Sequence, residues 1–265
     1  MTSKWTRRLA AIGLAVMALA VVRPAAAQSI LSEVIKRGTI RIATVAGNPP
    51  YSAISPSGEP VGYDIEIGKA IAAALKVKPE FTVVDTPGRI TALQTHRVDI
   101  TLANFTNTVE RSTVIAFTSP YVVVGAIYMV KKDSPIQTVA QLNDAKYKIG
   151  VPRGGTSEVW AAQNCPNAQL VRFDTVNDAY LALKTGQVDA HLQDSFQNAA
   201  FIQKDAATMR NLPGNWSYEE IAIGLPAGDF DWWRVMETWV RQFNGSGDNA
   251  RLFKKFFGFD LPAFN

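Results

Sequence analysis

Apolar residues recur along this chain with two alternating periods. Thr39–Val45 is rich in β-branched residues and runs into the turn Gly47-Asn48-Pro49-Pro50. From Asp64, apolar positions fall at Ile67, Ala70, Ile71, Ala74 and Leu75, the i, i+3, i+4 spacing of one helix face. Residues 81–84 read as a short strand, residues 90–94 open a second helix, and residues 98–105 are again strand-like. Such alternation predicts an α/β fold with mostly parallel strands.

An internal repeat extends this pattern to the architecture. Residues 90–104, ITALQTHRVDITLAN, and residues 180–194, YLALKTGQVDAHLQD, agree at six of fifteen positions. The shared residues are Ala92/Ala182, Leu93/Leu183, Thr95/Thr185, Val98/Val188, Asp99/Asp189 and Leu102/Leu192. The repeated unit is a helix, a tight turn and a strand ending in a polar residue, so two similar α/β lobes are expected. The apolar run 121–130 is the expected first crossing between them, and the run 218–225 the second. A helix then follows with Trp232, Val235, Met236, Trp239, Val240 and Phe243 on one face, and a last helix with Phe253, Phe256 and Phe257. Helical spacing marks these aromatics as core that packs back on the first lobe. The expected division is residues 28–124 with 221–265 in lobe 1 and 125–220 in lobe 2, joined by two hinge crossings around a central cleft.

Composition changes the picture chiefly at the N-terminus. The chain of 265 residues carries 27 Lys+Arg and 23 Asp+Glu, a net charge of +4. Residues 1–27 hold four of those bases and no acid, so the remainder balances at 23 of each sign. The charge balance therefore gives no support for nucleic acid as a partner. The leader itself reads as basic MTSKWTRR, an apolar run over 9–22, and Ala25-Ala26-Ala27 before Gln28. That is the layout of a secretory signal cleaved after Ala27. Fourteen helical residues reach about 21 Å, short of the roughly 30 Å of a hydrocarbon core. The single cysteine, Cys165, excludes an intramolecular disulfide and any multi-cysteine metal site, and is expected to be a packed thiol. No cofactor or metal is expected, and nothing signals an oligomer, so a monomer is the expectation.

In open α/β sheets, ligands bind beyond the carboxyl ends of strands. The repeat puts Asn104 and Asp194 at equivalent strand ends, one per lobe. Thr106 and Thr108 follow Asn104, and Thr108 reads as a helix cap three residues before Arg111. The Arg111 fork suits a carboxylate. Gly154-Gly155-Thr156-Ser157 forms the corresponding strand-to-helix turn of the second lobe, with backbone donors and hydroxyls. Asp194 suits an ammonium group. Together these residues describe a clamp for a small zwitterion.

The ordered motifs of this chain closely resemble those of bacterial extracellular solute-binding proteins of family 3, the periplasmic amino-acid-binding components of ABC importers. The resemblance spans residues 28–264. It rests on Asn48-Pro49-Pro50-Tyr51, Gly62-Tyr63-Asp64-Ile65-Glu66, Arg89-Ile90 with Leu93-Gln94 and Val98-Asp99, and Asn107-Thr108-Val109-Glu110-Arg111. Further matches are Phe117-Thr118-Ser119-Pro120-Tyr121, Ile149-Gly150-Val151, Gly154-Gly155-Thr156-Ser157-Glu158 and Leu192-Gln193-Asp194. It implies two lobes that close on a free amino acid and deliver it to a membrane permease from the periplasm. By resemblance, Arg111 and Thr106 hold the α-carboxylate, with Thr156 and the Gly155 amide contributing from the second lobe. Asp194 and the Asn104 region hold the α-amino group, and Tyr51 forms an aromatic wall. Asn104 departs from the commoner small or hydroxyl residue. Arg89, 22 residues before Arg111, resembles the arginine that reaches the side-chain carboxylate in the glutamate/aspartate-binding branch. That branch tends to carry another base in its first loop, which residues 45–51 lack; Arg153 is the candidate substitute. An acidic or polar amino acid is favoured.

Two other functions compete. Cyclohexadienyl dehydratases resemble this family and use the same cleft for elimination, which needs a positioned general acid. Here the only histidines are His96, expected in a solvated turn, and His191, expected to be packed inside a strand. A receptor sensor domain would need a second membrane segment or a signalling domain. A carrier without chemistry is therefore the expected function.

Overall fold

A computed structural model describes residues 29–214 and 217–263. The leader assigned to residues 1–27 lies outside the described residues. Thr39–Val45 is the spine of the first sheet, paired in parallel with Lys78–Val84 along its whole length and with Ile100–Thr101 on its other side. Gly224–Leu225 and Ala116–Phe117 complete the five strands. The second sheet repeats the plan. Lys148–Pro152 lies between Gln169–Phe173 and Ala190–Asp194, both parallel to it, and Ala126–Lys131 and Met209–Asn211 follow.

In each sheet one strand runs against the other four, and it is the strand that arrives from the opposite lobe. Ala126–Lys131 follows the first crossing and Gly224–Leu225 the second. A strand entering this way needs no crossover helix, so the parallel rule does not bind it. A third, three-stranded antiparallel sheet joins the crossings themselves: Thr106–Asn107, Glu219–Ile221 and Val122–Val124. The runs 121–130 and 218–225, expected as the two crossings, therefore each divide into two strands where the chain changes sheets. Of residues 98–105, only Ile100–Thr101 is strand.

The repeat is structural in detail. Asp99 accepts from the Arg41 N–H at 2.7 Å and Asp189 from the Lys148 N–H at 2.8 Å, each tying a helix–strand turn to the parallel strand beside it. Arg37 and Arg41 add ion pairs to Asp99. The turn position is left-handed in both copies, with φ of 51° at His96 and 79° at Gly186. His96 is thus an exposed turn residue.

The terminal helices Phe230–Gly245 and Asp248–Phe257 bury Trp232, Met236, Val240, Phe243, Phe253 and Phe257 in one core with Ile40, Ile42, Ile67 and Ile71 of the first lobe. Val235, Trp239 and Phe256 pack at its margin. The Trp232 indole N–H donates to the Asp99 carbonyl at 2.9 Å, so the tail closes on the first lobe, as the spacing predicts. The second lobe has its own core around Tyr128, Ile149, Val151 and Leu192, where Cys165 lies fully buried. Among the described residues no helix is long and apolar enough to cross a membrane.

Candidate ligand-binding site

The two repeat-related strand ends meet. Asn104 Nδ2 donates to Asp194 Oδ2 at 2.9 Å, across the boundary between the lobes. Around this contact lies a small cavity lined from both lobes. Arg89, Asn104, Thr106 and Arg111 line it from the first lobe, and Gly155, Thr156 and Asp194 from the second.

Asn104 takes φ of 45°, the left-handed region that Asn tolerates better than most residues. This turns its N–H to Asp64 Oδ2 at 2.7 Å and leaves its own Oδ1 buried with no hydrogen-bond partner among the described residues. An unpaired buried acceptor at a cavity wall fits a cationic donor. Asp194 caps the helix Ser195–Asp205 through Oδ1, which accepts from the Gln197 N–H at 2.8 Å. Burial raises the Asp194 carboxyl to about 6, although N–H donors from Gln197 and Asn104 oppose the shift. Asp64 is likewise raised to about 6 by burial.

The cavity also carries two guanidinium groups. Arg111 donates from Nη1 to the Thr106 carbonyl at 2.8 Å and from Nη2 to the Gly154 carbonyl at 3.3 Å, so it bridges the lobes. Arg89 is buried and spends Nε on the Thr86 carbonyl at 2.8 Å and Nη1 on the Ala103 carbonyl at 3.0 Å. Both guanidinium groups lie over Phe105, 4.4 and 5.0 Å from the ring centre. Burial lowers the pKa of each, and for Arg89 the neighbouring Arg111 charge lowers it further. Neither makes a carboxylate ion pair among the described residues.

Two expected site residues lie elsewhere. Tyr51 is fully buried in the first-lobe core, its ring 5.0 Å from Phe257 and 6.2 Å from Tyr63. The chain folds back at the turn, where Asn48 and Ser52 exchange backbone hydrogen bonds of 2.9 and 3.0 Å. That places Asn48 on the cavity wall and turns Tyr51 inward. Arg153 is 55% exposed and pairs with Asp174 at 3.6 Å on the surface, outside the cavity lining. Its backbone N–H is held by the Phe173 carbonyl, which fixes the loop in that direction.

Several lining residues were missed, among them Asn48, Thr175, Gln193 and Glu219. Glu219, in the second crossing, accepts through Oε2 from Thr106 Oγ at 2.9 Å and from Thr156 Oγ at 2.7 Å. Its other oxygen accepts from Ser217 Oγ at 2.9 Å. The signal was present in the sequence, because strand alternation puts Glu219 on the same face as Ile221, a buried position. His191 is fully buried, with its pKa lowered to about 4 by burial, and it does not line the cavity.

The model for bacterial extracellular solute-binding proteins, family 3, matches residues 40–259. The chain belongs to that family. This solute-binding protein is 26% identical over 241 residues to the L-cystine-binding protein TcyJ of Escherichia coli, covering 91% of this chain and 90% of the relative. It is 28% identical to an L-arginine-binding protein of Pseudomonas aeruginosa, covering 85% of this chain and 90% of the relative. Among solved structures, it matches an ancestral amino acid-binding protein, described as a precursor of cyclohexadienyl dehydratase, with a TM-score of 0.82 and 33% identity. That match covers 86% of this chain and 100% of the ancestral one. The fold is the two-lobed one of these neighbours. The family and the curated relatives are solute-binding proteins, and this chain is a binder rather than an enzyme.

Proposed function

We propose that this solute-binding protein captures one free amino acid between its lobes and presents it to the membrane permease of an ABC importer. The observation that carries this reading is that one cavity is lined by opposite charges: Arg111 on one side of the balance, Asp194 with the unpaired Asn104 Oδ1 on the other. A free amino acid supplies a carboxylate to the first and an ammonium to the second. Cystine- and arginine-binding relatives support the ligand class. Export to the periplasm, with the leader removed after Ala27, agrees with the extracellular character of the family.

Residues 28–124 with 221–265 form one lobe of this proposal and 125–220 the other. They hinge at the crossing sheet, and the protein acts as a monomer. A ligand touching both lobes stabilises the closed arrangement, since only contacts present in one state shift an equilibrium. Arg89 makes an acidic or polar side chain the favoured kind, because its Nη2 keeps no partner among the described residues while Nε and Nη1 are spent.

Thermal denaturation in the presence of each of the twenty amino acids tests the reading. A ligand at one hundred times its Kd adds about 2.7 kcal/mol to the native state, a rise of roughly 5–10 °C in Tm for a chain of this size. At least one amino acid produces such a rise. If none does, and calorimetry on ligand-stripped protein is also silent, amino-acid capture is wrong.

A further inference from the structure

We infer that Glu219 sets the charge of the ligand: by cancelling one of the two cavity arginines, it restricts this site to amino acids with a neutral, hydrogen-bonding side chain. The inference rests on amino-acid capture as proposed above and chooses within it between acidic and neutral polar ligands.

The ionisable residues on the cavity wall, among those described, are Arg89, Arg111, Asp194 and Glu219. Two positive charges face two negative ones, and Asp64 stands behind Asn104 with a further carboxyl. A zwitterion leaves this balance unchanged, with its carboxylate near Arg111 and its ammonium near Asp194. A glutamate or aspartate side chain would add a third negative group to the wall of a buried site. An unbalanced buried charge is costly, which makes an acidic side chain a poor occupant. A lysine or arginine side chain meets the opposite obstacle, because Arg89 already lies buried beside Arg111 with no acid paired to it.

Glu219 also changes what the threonines can do. A hydroxyl has one proton to donate. Thr106 and Thr156 both direct theirs to Glu219 Oε2, at 2.9 and 2.7 Å. The two hydroxyls therefore offer lone pairs to a ligand rather than donors, and the ligand carboxylate is left to Arg111 and backbone N–H groups. Donors for a second ligand carboxylate are correspondingly fewer. What remains beside Arg89 suits the carbonyl of an amide or a hydroxyl.

Calorimetry with glutamine, asparagine, serine, glutamate, aspartate and arginine decides the matter, on the wild-type chain and on Glu219→Gln. Wild-type protein binds its best neutral polar ligand at least tenfold more tightly than glutamate or aspartate. Glu219→Gln keeps an acceptor for the threonines, removes the charge, and shifts that ratio at least tenfold toward the acidic ligands. Tightest wild-type binding of an acidic or cationic amino acid overturns the inference while leaving amino-acid capture standing, and needs no variant to fold. An unchanged ratio in folded Glu219→Gln overturns it equally. Failure of the wild type to bind any amino acid removes the underlying reading instead.

Discussion

Asp194→Asn weakens amino-acid binding by about 2–5 kcal/mol, roughly thirtyfold to several thousandfold, and leaves the fold intact. The loss is that of one partner from a buried, hydrogen-bonded charge pair. Asparagine is the informative replacement because Asp194 also caps a helix through the Gln197 N–H. Asn caps as well as Asp, whereas Ala would forfeit about 1 kcal/mol of stability and blur the result. Titration calorimetry, with circular dichroism as the check on folding, reads the outcome; an affinity within threefold of wild type removes Asp194 from the ligand site. A pH series adds a second signature. With its carboxyl raised to about 6, Asp194 loses the charge that holds an ammonium as pH falls below that value. Wild-type affinity therefore declines by up to about tenfold per pH unit below 6, and the Asn variant loses that dependence. Stability of the free protein moves the other way. Asp64 and Asp194 both titrate higher in the folded chain than the ordinary value near 3.9. Their contribution to stability is fully present below about 4 and is lost as pH rises through about 6. Affinity and the share of stability due to these two groups thus run in opposite directions over the same window.

Arg111→Ala has the other large effect. It removes the guanidinium proposed to face the ligand carboxylate and the bridge from Nη2 to the Gly154 carbonyl of the opposite lobe. Binding falls by at least about a hundredfold, the magnitude of losing a charge-assisted contact in a buried site. Arg111→Lys separates charge from geometry: lysine keeps the cation but not the planar fork, and recovers only part of the loss. Wild-type affinity in Arg111→Ala, measured by the same titration, would refute the role. Recovery to the wild-type value in Arg111→Lys would show that the fork is dispensable.

The lobes were legible because a repeated helix–turn–strand unit writes itself twice at an offset of ninety residues, and Asn104 and Asp194 then meet at that separation. Part of the repeat proved to be scaffold: Asp99 and Asp189 hold strands together, a role that short polar side chains leave no mark of beyond their recurrence. Arg89, Asn104, Thr106, Arg111, Gly155, Thr156 and Asp194 come to one cavity because each follows a strand end whose position the pattern fixes. Tyr51 was misplaced for a local reason. The turn before it contains two prolines and folds back on Ser52, so the side chain facing the cavity is Asn48, and periodicity says nothing inside such a turn. Arg153 was misplaced because a charged residue beside two glycines can face either way. Glu219 was hidden by its surroundings, the first of two adjacent acids, Glu219 and Glu220, opening a run that reads first as core strand. Only the pairing of that run with Thr106–Asn107 turns it toward the cleft.

The lone cysteine of this chain makes it a ready frame for an optical sensor. Cys165 is fully enclosed beneath Tyr128 and the Val139 carbonyl, and burial pushes its thiol pKa up, so it is shielded from thiol-directed dyes. A cysteine introduced on the exposed rim of the cleft, at Arg153 for instance, would then carry the label by itself. A fluorophore there would ride on the second lobe next to the Gly154–Arg111 bridge, and its emission would report the proposed closure of the lobes without any native cysteine having first to be removed.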